Sequence, residues 1–287
     1  QRIEPLIRVR NLEVVYRRGK KSFRAVENIS FDVMPGEIFG LVGESGSGKT
    51  TIGNAIMGLV PSSKGEILLN GQPIPRQNSL AGRRQLAKRI QMIFQDPISS
   101  VNGRAKVRDI VQEGLRNLYP KMSAAERDSR VTEALADVGL GGEYGNLFPH
   151  ALSGGQLQRV GIARAMIMQP DLIVADEPVS ALDVSLRSQI LRLMLDLREK
   201  HELTYLLIAH DLSVMRQVCN RIGIIKSGRL VELGRTEQIF DNPVHPYTKS
   251  LLTAIPVPNP DIEKSRRYYF CEEDALGGQW TEVECGH

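Results

Sequence analysis

The sequence predicts an α/β fold in which crossover helices join the strands of a largely parallel sheet. Apolar, strand-like runs alternate with helix-like segments along most of the chain, which is the order a parallel sheet requires. The runs over 172–175 and 205–209 are continuously apolar, as expected for central strands buried on both faces. Between them, apolar residues at helical spacing predict a crossover helix over 185–200. Its expected buried stripe consists of Leu186, Ile190, Leu193 and Leu197.

The other elements follow from the same patterns. The segment 6–16 and the region of Phe31 predict an antiparallel β appendage at the N-terminus. Ser227 and Gly228 are flanked by the segments 222–226 and 229–233 and predict a β-hairpin. A short buried strand over 38–42 is followed by a predicted helix over 49–59, and further strands are predicted over 66–69 and 91–94.

Two regions interrupt the alternation. Residues 98–168 are mostly helical in pattern, with predicted helices over 107–118 and 123–138 and a third that begins near Ser153. After Phe240 the composition changes. The sequence there predicts a short helix, followed by a linker that its prolines stiffen. We therefore predict three parts: an α/β core with the appendage over 1–97 and 169–240, an inserted helical subdomain over 98–168, and a C-terminal extension over 241–287.

The overall composition of the chain excludes several classes of protein. The formal net charge of +4 is a mild excess that favours a solvated surface, with anionic ligands or lipid headgroups as alternatives. Because the charges are spread along the chain, we expect no nucleic-acid partner. Three cysteines do not make a disulfide framework and favour a reducing compartment, with Cys219 interpreted as a core residue. No run approaches the roughly 18 apolar residues of a membrane helix, so work at a membrane would require docking onto another subunit.

A glycine-rich loop follows the strand over 38–42. The segment from Gly43 to Thr50 fits G-x-x-x-x-G-K-[ST], the P-loop. Its glycines let the backbone curl around a phosphate, and the exposed N–H groups and helix dipole favour the anion. We predict that Lys49 contacts the β- and γ-phosphates of ATP and that the Thr50 hydroxyl binds Mg²⁺.

Two carboxylates end the apolar strand over 172–175. Because parallel sheets place ligand chemistry at the carboxyl ends of their strands, we expect Asp176 to lie beside the P-loop and bind Mg²⁺, directly or through water. Glu177 is predicted to point toward the attacking water as general base or polariser. His210 ends the strand over 205–209, and its imidazole is expected to bridge the γ-phosphate and the carboxylate that orients the water.

The segment 152–156, Leu-Ser-Gly-Gly-Gln, begins another helix with a serine cap and two glycines. This is a second anion-binding helix end in a chain that already has a complete P-loop. The economical explanation is a dimer, in which this helix covers the nucleotide bound by the P-loop of a partner.

With these motifs in this order, residues 6–240 resemble the ABC ATPase family, and 152–156 is similar to its signature motif. The resemblance implies a P-loop NTPase core of the RecA-like type that hydrolyses ATP with Mg²⁺. Tyr16 resembles the adenine-stacking aromatic, and Gln95 resembles the Q-loop glutamine that contacts Mg²⁺ and senses the transmembrane subunits. Residues 180–183 resemble the D-loop, which crosses the dimer interface.

The predicted site therefore has three groups of residues. The catalytic residues are Glu177, His210 and Lys49, and the metal ligands are Thr50, Gln95 and Asp176. The nucleotide-binding residues are Tyr16, Gly43, Glu44, Ser45, Gly46, Ser47, Gly48, Lys49, Thr50, Thr51, Gln95, Ser153, Gly154, Gly155, Gln156 and Asp183.

The segment 245–252, His-Pro-Tyr-Thr-Lys-Ser-Leu-Leu, resembles the C-terminal extension of oligopeptide and dipeptide importer ATPases. This implies a peptide importer with a second, paralogous ATP-binding subunit, two transmembrane permease subunits and, indirectly, an extracytoplasmic substrate-binding protein. The chain would lie at the cytoplasmic face of the cell membrane as a peripheral subunit. Importers of nickel, glutathione and some oligosaccharides share the extension and are alternatives.

Some members of that group hold an iron–sulfur cluster with four tail cysteines, whereas this tail has only Cys271 and Cys285. Two thiolates are too few for that ligation, so we interpret them as plain thiols; a metal site with His287 as third ligand is the alternative. A soluble ABC ATPase of DNA repair or translation, or half of an exporter, are further alternatives. The sequence lacks the second ATPase unit or long insertions usual in the former and the membrane helices common in the latter.

Overall fold

The computed structural model describes residues 4–19, 21–74, 79–255, 281–283, 286 and 287. Cys271 and Cys285, on which the interpretation of the tail depends, lie outside the described residues. The chain divides into two compact units, residues 1–74 with 206–287 and residues 75–205, and each is described by itself. No helix in these described ranges is both long and apolar enough to cross a membrane.

Strands and helices alternate along the described residues as the sequence predicts. The strands are β1 (Ile7–Arg18), β2 (Lys21–Val33), β3 (Ile38–Val42), β4 (Lys64–Leu69), β5 (Gln72–Pro73), β6 (Ile90–Ile93), β7 (Leu172–Asp176), β8 (Thr204–Ala209), β9 (Arg221–Lys226) and β10 (Arg229–Arg235). The α-helices are α1 (Lys49–Ile56), α2 (Leu80–Arg89), α3 (Val107–Val111), α4 (Glu113–Leu118), α5 (Ala124–Asp137), α6 (Gly154–Met166), α7 (Val184–His201), α8 (Leu212–Val218), α9 (Thr236–Asp241) and α10 (Pro246–Thr253).

The first unit contains the predicted antiparallel appendage, a sheet in the order β2-β1-β4-β5. β1 pairs antiparallel with β2 on one side and with β4 on the other. The strand predicted over 66–69 therefore belongs to the appendage and not to the parallel sheet. An apolar run does not itself specify a partner strand, so its pattern alone could not distinguish the two.

The same unit contains strands in the order β10-β9-β3-β8, with β3 parallel to β9. Every residue of β3 is buried, as its uninterrupted apolar sequence requires. The predicted hairpin is confirmed: β9 and β10 pair antiparallel around Ser227 and Gly228, whose φ angles are 47° and 78°. Two consecutive left-handed residues give the turn whose twist matches that of the flanking strands.

In the second unit, β6 pairs parallel with β7. Helix α7 confirms the predicted crossover helix, but its buried stripe is shifted. Its buried residues are Ile190, Leu191, Met194 and Leu197, whereas Leu186 and Leu193 are half-buried. The prediction was wrong at those two positions because helical spacing fits two adjacent stripes, and only the packing partner selects one of them.

The helical region of the second unit departs from the sequence prediction twice. The single helix predicted over 107–118 is two helices, α3 and α4, which meet at Gln112, where the backbone leaves helical geometry. Helix α2 was not predicted, because it is strongly polar and buries only Gly82 and Leu86. The one local signal for it was Ser79, whose hydroxyl accepts from the Gly82 N–H and caps the helix, but a single serine is too weak a signal to predict a helix.

Candidate functional site

The P-loop connects the end of β3 to the start of α1, in the first unit. A Cβ atom on Gly43 would lie 2.0 Å from the carbonyl oxygen of Ile225, which no side chain can occupy. Gly48 has a φ of +101°, and a Cβ there would lie 2.4 Å from the carbonyl oxygen of Ala25. Two of the loop's glycines are therefore required by close backbone contacts, one of them also by left-handed geometry.

Lys49 lies inside the loop. Its side-chain ammonium donates hydrogen bonds to the carbonyl oxygens of Gly43 at 2.8 Å and Glu44 at 2.7 Å, and contacts the Ser47 hydroxyl at 3.3 Å. Lys49 is only 5% exposed. Four of the predicted nucleotide-binding residues near Lys49 in the sequence are exposed: Glu44, Ser45, Gly46 and Thr50. A buried cation surrounded by an exposed loop is suited to an anionic ligand.

The β9–β10 turn supports the loop from one side. The N–H of Gly228 donates to the carbonyl oxygen of Ser47 at 2.9 Å, and the N–H of Glu27 donates to the carbonyl oxygen of Gly228 at 2.8 Å. The Glu27 carboxylate pairs with the Arg229 guanidinium at 3.0 Å. That hydrogen bond lowers the pKa of Glu27. The hairpin thereby joins the loop to the antiparallel sheet.

Three other predicted residues belong to the first unit. The Tyr16 hydroxyl lies 3.4 Å from the Thr51 hydroxyl at the start of α1, and the tyrosine is 41% exposed. An exposed ring beside the loop is a suitable surface for stacking a base. His210 follows β8 and is exposed.

The two carboxylates lie at the end of β7, in the second unit. Asp176 is 8% exposed, while Glu177 is half-buried and has a φ of 47°, which is uncommon for a residue with a side chain. The Glu177 carbonyl oxygen accepts hydrogen bonds from the backbone N–H and the hydroxyl of Ser180. The Gln95 side-chain amide donates to Oε2 of Glu177 at 3.1 Å. Two predicted residues far apart in sequence are thus in contact.

The signature segment forms the start of α6. Ser153 and Gln156 make a capping box: the Ser153 hydroxyl accepts from the Gln156 N–H at 3.3 Å, and the Gln156 side-chain oxygen accepts from the Ser153 N–H at 2.9 Å. The Gln156 amide also donates to the Tyr144 hydroxyl at 3.1 Å. Ser153 and Gly154 are exposed, so the start of the helix is accessible.

The D-loop residues lie next to the signature helix within the same unit. A Cβ on Gly155 would lie 3.1 Å from the Leu186 side chain, so glycine permits close packing of α6 against α7. Asp183 caps α7 by accepting from the Leu186 N–H at 3.0 Å. Arg187 donates to the carbonyl oxygens of Leu182 and Ser180.

Sequence reasoning missed several residues that support the site. Tyr144, Leu186 and Arg187 hold the signature and D-loop segments, and no short motif marks them. Tyr247 contacts the P-loop, since its hydroxyl accepts a hydrogen bond from the Glu44 N–H at 3.1 Å. The motif that contains Tyr247 was recognised, but only for its resemblance. The expected proximity of Asp176 to the P-loop stays a prediction.

Two family models match the sequence. One, for ABC transporters, matches residues 26–180. The other, for the C-terminal region of oligopeptide/dipeptide transporters, matches residues 231–270. The second match includes α10 and therefore Tyr247.

Curated relatives match over nearly the whole chain. The oligopeptide transport ATP-binding protein OppF of Streptococcus pyogenes serotype M1 is 49% identical, covering 92% of this chain and 86% of the relative. The dipeptide transport ATP-binding protein DppF of Lactococcus lactis subsp. cremoris is 48% identical, covering 97% and 90%.

Solved structures share the fold. The structure of cbiO1 from Clostridium perfringens, part of the ABC transporter complex cbiONQ, aligns with a TM-score of 0.74 at 26% identity, covering 83% of this chain and 92% of that one. A dimeric ATP-binding cassette in a post-hydrolysis state with ADP and Pi aligns with a TM-score of 0.72 at 29% identity, covering 80% and 98%.

Proposed function

The chain belongs to the ABC transporter ATP-binding family, and on that premise we propose that it is the ATP-hydrolysing subunit of an importer of di- and oligopeptides. The observation that carries the proposal is the buried Lys49 ammonium, held inside a glycine loop between β3 and α1. A cation fixed in this way, with backbone N–H groups around it, binds the β- and γ-phosphates of a nucleoside triphosphate.

ATP binding is assigned to the residues around that loop. The phosphates are bound by residues 43–51, and Tyr16 stacks on the adenine. In this role Lys49 keeps its hydrogen bond to the Gly43 carbonyl and also donates to phosphate oxygens, so that donor and acceptor are both charged.

Mg²⁺ is assigned to the Thr50 hydroxyl, the Gln95 side-chain oxygen and the Asp176 carboxylate. All three are hard oxygen donors, which this ion prefers. The Gln95 amide nitrogen donates to Glu177, which leaves its oxygen as the acceptor, so the donor chemistry fits. When bound, Mg²⁺ neutralises charge on the phosphate oxygens.

Hydrolysis is assigned to Glu177 and His210. Glu177 accepts a proton from the attacking water as general base, and its carboxylate is oriented by the hydrogen bond from Gln95. The left-handed backbone at Glu177, held by Ser180, fixes the direction in which the side chain leaves β7. His210 orients the γ-phosphate as a hydrogen-bond donor.

A second ATP-binding subunit completes each site. The accessible start of α6, with Ser153, Gly154, Gly155 and Gln156, covers the nucleotide of the partner, and Asp183 crosses the interface. The dimeric form of two structural neighbours supports this arrangement. The partner is a paralogous chain, and ATP joins the two subunits until hydrolysis separates them.

The transport role rests on the C-terminal match and on the names of the relatives. The chain docks from the cytoplasmic face onto two permease subunits, which receive peptides from an extracytoplasmic binding protein. The proposed division is a core over 1–97 and 169–240, a helical subdomain over 98–168 and an extension over 241–287. The helical subdomain and Gln95 transmit the closure of the ATPase dimer to the permeases.

Co-purification and transport test this function together. The tagged chain is extracted in detergent, and we expect two membrane-spanning polypeptides and a second ATPase to accompany it. Liposomes that contain this complex should take up labelled trialanine only with ATP and the binding protein. Recovery with ribosomes or DNA would contradict the transport role, whereas ATP-driven uptake of nickel, glutathione or an oligosaccharide but not of peptide would contradict the cargo.

A further inference from the structure

Helix α10 of the C-terminal extension contacts the P-loop through one side chain. Tyr247 lies in the first turn of α10 and is 2% exposed. Its hydroxyl oxygen accepts a hydrogen bond from the backbone N–H of Glu44 at 3.1 Å. Both residues belong to the first unit, although 203 positions separate them in the sequence.

Tyr247 and Lys49 hold opposite ends of one peptide group. The N–H of Glu44 and the carbonyl of Gly43 belong to the same planar peptide. Tyr247 accepts from that N–H, and the Lys49 ammonium donates to that carbonyl oxygen at 2.8 Å. Because the peptide is rigid, the hydroxyl that fixes its N–H also fixes the direction of the carbonyl that Lys49 contacts.

The position of Tyr247 is itself fixed by contacts with residues of the segment 206–287. The buried Glu232 carboxylate accepts hydrogen bonds from the N–H groups of Val244 at 2.8 Å and His245 at 3.0 Å, which holds the chain entering α10. Nδ1 of His245 accepts from the Tyr247 N–H at 3.1 Å. The Lys226 ammonium lies 5.0 Å from the centre of the tyrosine ring, within cation–π distance.

We propose that Tyr247 is a positioning residue of the nucleotide site, which orients the Gly43–Glu44 peptide and through it Lys49. ATP binding thereby depends on the C-terminal extension, and any partner that moves α10 changes the affinity for nucleotide. This inference rests on the proposed function only in taking ATP as the ligand of the P-loop.

The variant Tyr247→Phe tests the proposal, because it keeps the ring and removes only the hydroxyl. We expect the Kd of the full chain for the fluorescent analogue mant-ATP, measured with Mg²⁺, to rise about threefold to tenfold, the range expected for loss of one hydrogen bond. The matched control is Thr248→Val in the same helix. Thr248 is fully buried, and within the part of the chain that the structure describes its hydroxyl has no hydrogen-bond partner.

The melting temperature without nucleotide separates positioning from simple stabilisation. A residue that only stabilises the fold changes that temperature and leaves the Kd of the folded chain unchanged. An unchanged Kd in Tyr247→Phe, or an equal rise in Thr248→Val, would overturn the inference. Failure of the wild-type chain to bind mant-ATP would instead contradict the proposed function.

A measurement on the wild-type chain does not require the variant to fold. The amide proton of Glu44 should be protected from hydrogen exchange, because the Tyr247 hydroxyl accepts its hydrogen bond. Exchange of that amide at the rate of an unprotected loop residue would overturn the inference.

Discussion

The side-chain amide of Gln95 donates a hydrogen bond of 3.1 Å to the carboxylate of Glu177. Gln95 follows β6 and Glu177 follows β7, two strands that pair in parallel, so the contact joins the ends of neighbouring strands. A glutamine that is exposed on its loop therefore orients the proposed general base. Movement of that loop would change the direction of the carboxylate, which gives the loop a physical route to control hydrolysis.

Gln95→Ala should lower kcat for ATP hydrolysis about tenfold, since a hydrogen bond to a charged group contributes on the order of 1.5 kcal/mol or more. The measurement is phosphate release at saturating ATP. Gln217→Ala is the control, because Gln217 is an exposed glutamine whose amide donates to the carbonyl oxygen of Ser213 in its own helix. A kcat equal to that of the wild type would contradict the orienting role.

Glu177→Gln should bind ATP with little change and lose at least about 100-fold in turnover, because the amide cannot accept the proton of the attacking water. Equilibrium binding of mant-ATP and steady-state phosphate release separate these two effects. Glu202→Gln is the control, since Glu202 also has a left-handed φ of 53° and lies at the end of α7. Undiminished hydrolysis by Glu177→Gln would refute its role as base.

Ser153→Ala should abolish ATP-dependent dimerisation with the partner subunit and reduce hydrolysis with it. The control is Ser123→Ala, because Ser123 caps α5 in the same way, with its hydroxyl 3.1 Å from the Glu126 nitrogen. Each variant loses one serine cap and about 1 kcal/mol of stability. Dimerisation is measured by sedimentation with ATP, with each variant made in a chain that also carries Glu177→Gln. Equal dimerisation of the two serine variants would contradict a role for Ser153 in covering the nucleotide of the partner.

Gly43→Ala should lower the free energy of unfolding by about 1–3 kcal/mol, because the new methyl group meets the Ile225 carbonyl oxygen and the loop must shift. We expect ATP binding to be lost with it. Gly161→Ala within α6 is the control: apart from the backbone of the same helix, no atom of the described residues lies within 4 Å of its added Cβ, and alanine favours helix. Urea unfolding measures the stability of both variants. A Gly43→Ala variant as stable as Gly161→Ala would show that the loop accommodates a side chain.

Cys219 should resist alkylation by iodoacetamide in the folded chain at pH 8. Burial, with a smaller contribution from the charge of Glu37, raises the pKa of its thiol well above the usual value, so almost no thiolate forms. Peptide mass spectrometry after labelling, with and without urea, measures the protection. Rapid labelling of Cys219 without urea would contradict its position in the core.

Much of the candidate site could be proposed from the sequence because its motifs are local. A strand, a glycine loop and a helix in direct succession identify Lys49, and an apolar strand that ends in two acids identifies Asp176 and Glu177. The hairpin at Ser227 and Gly228 was predictable for the same reason, since a two-residue turn sets its own backbone geometry.

Contacts between distant segments were decided by the tertiary structure alone. Whether Leu193 or Met194 is buried on α7 depends on the packing partner, because both fit a helical stripe. The contact of Tyr247 with the Glu44 N–H spans 203 positions, and no spacing rule connects them. The sequence by itself determined which side chains are present at each turn and strand end. Which of them come into contact was decided by the tertiary structure, because hydrogen bonds between such distant residues form only after the elements have packed.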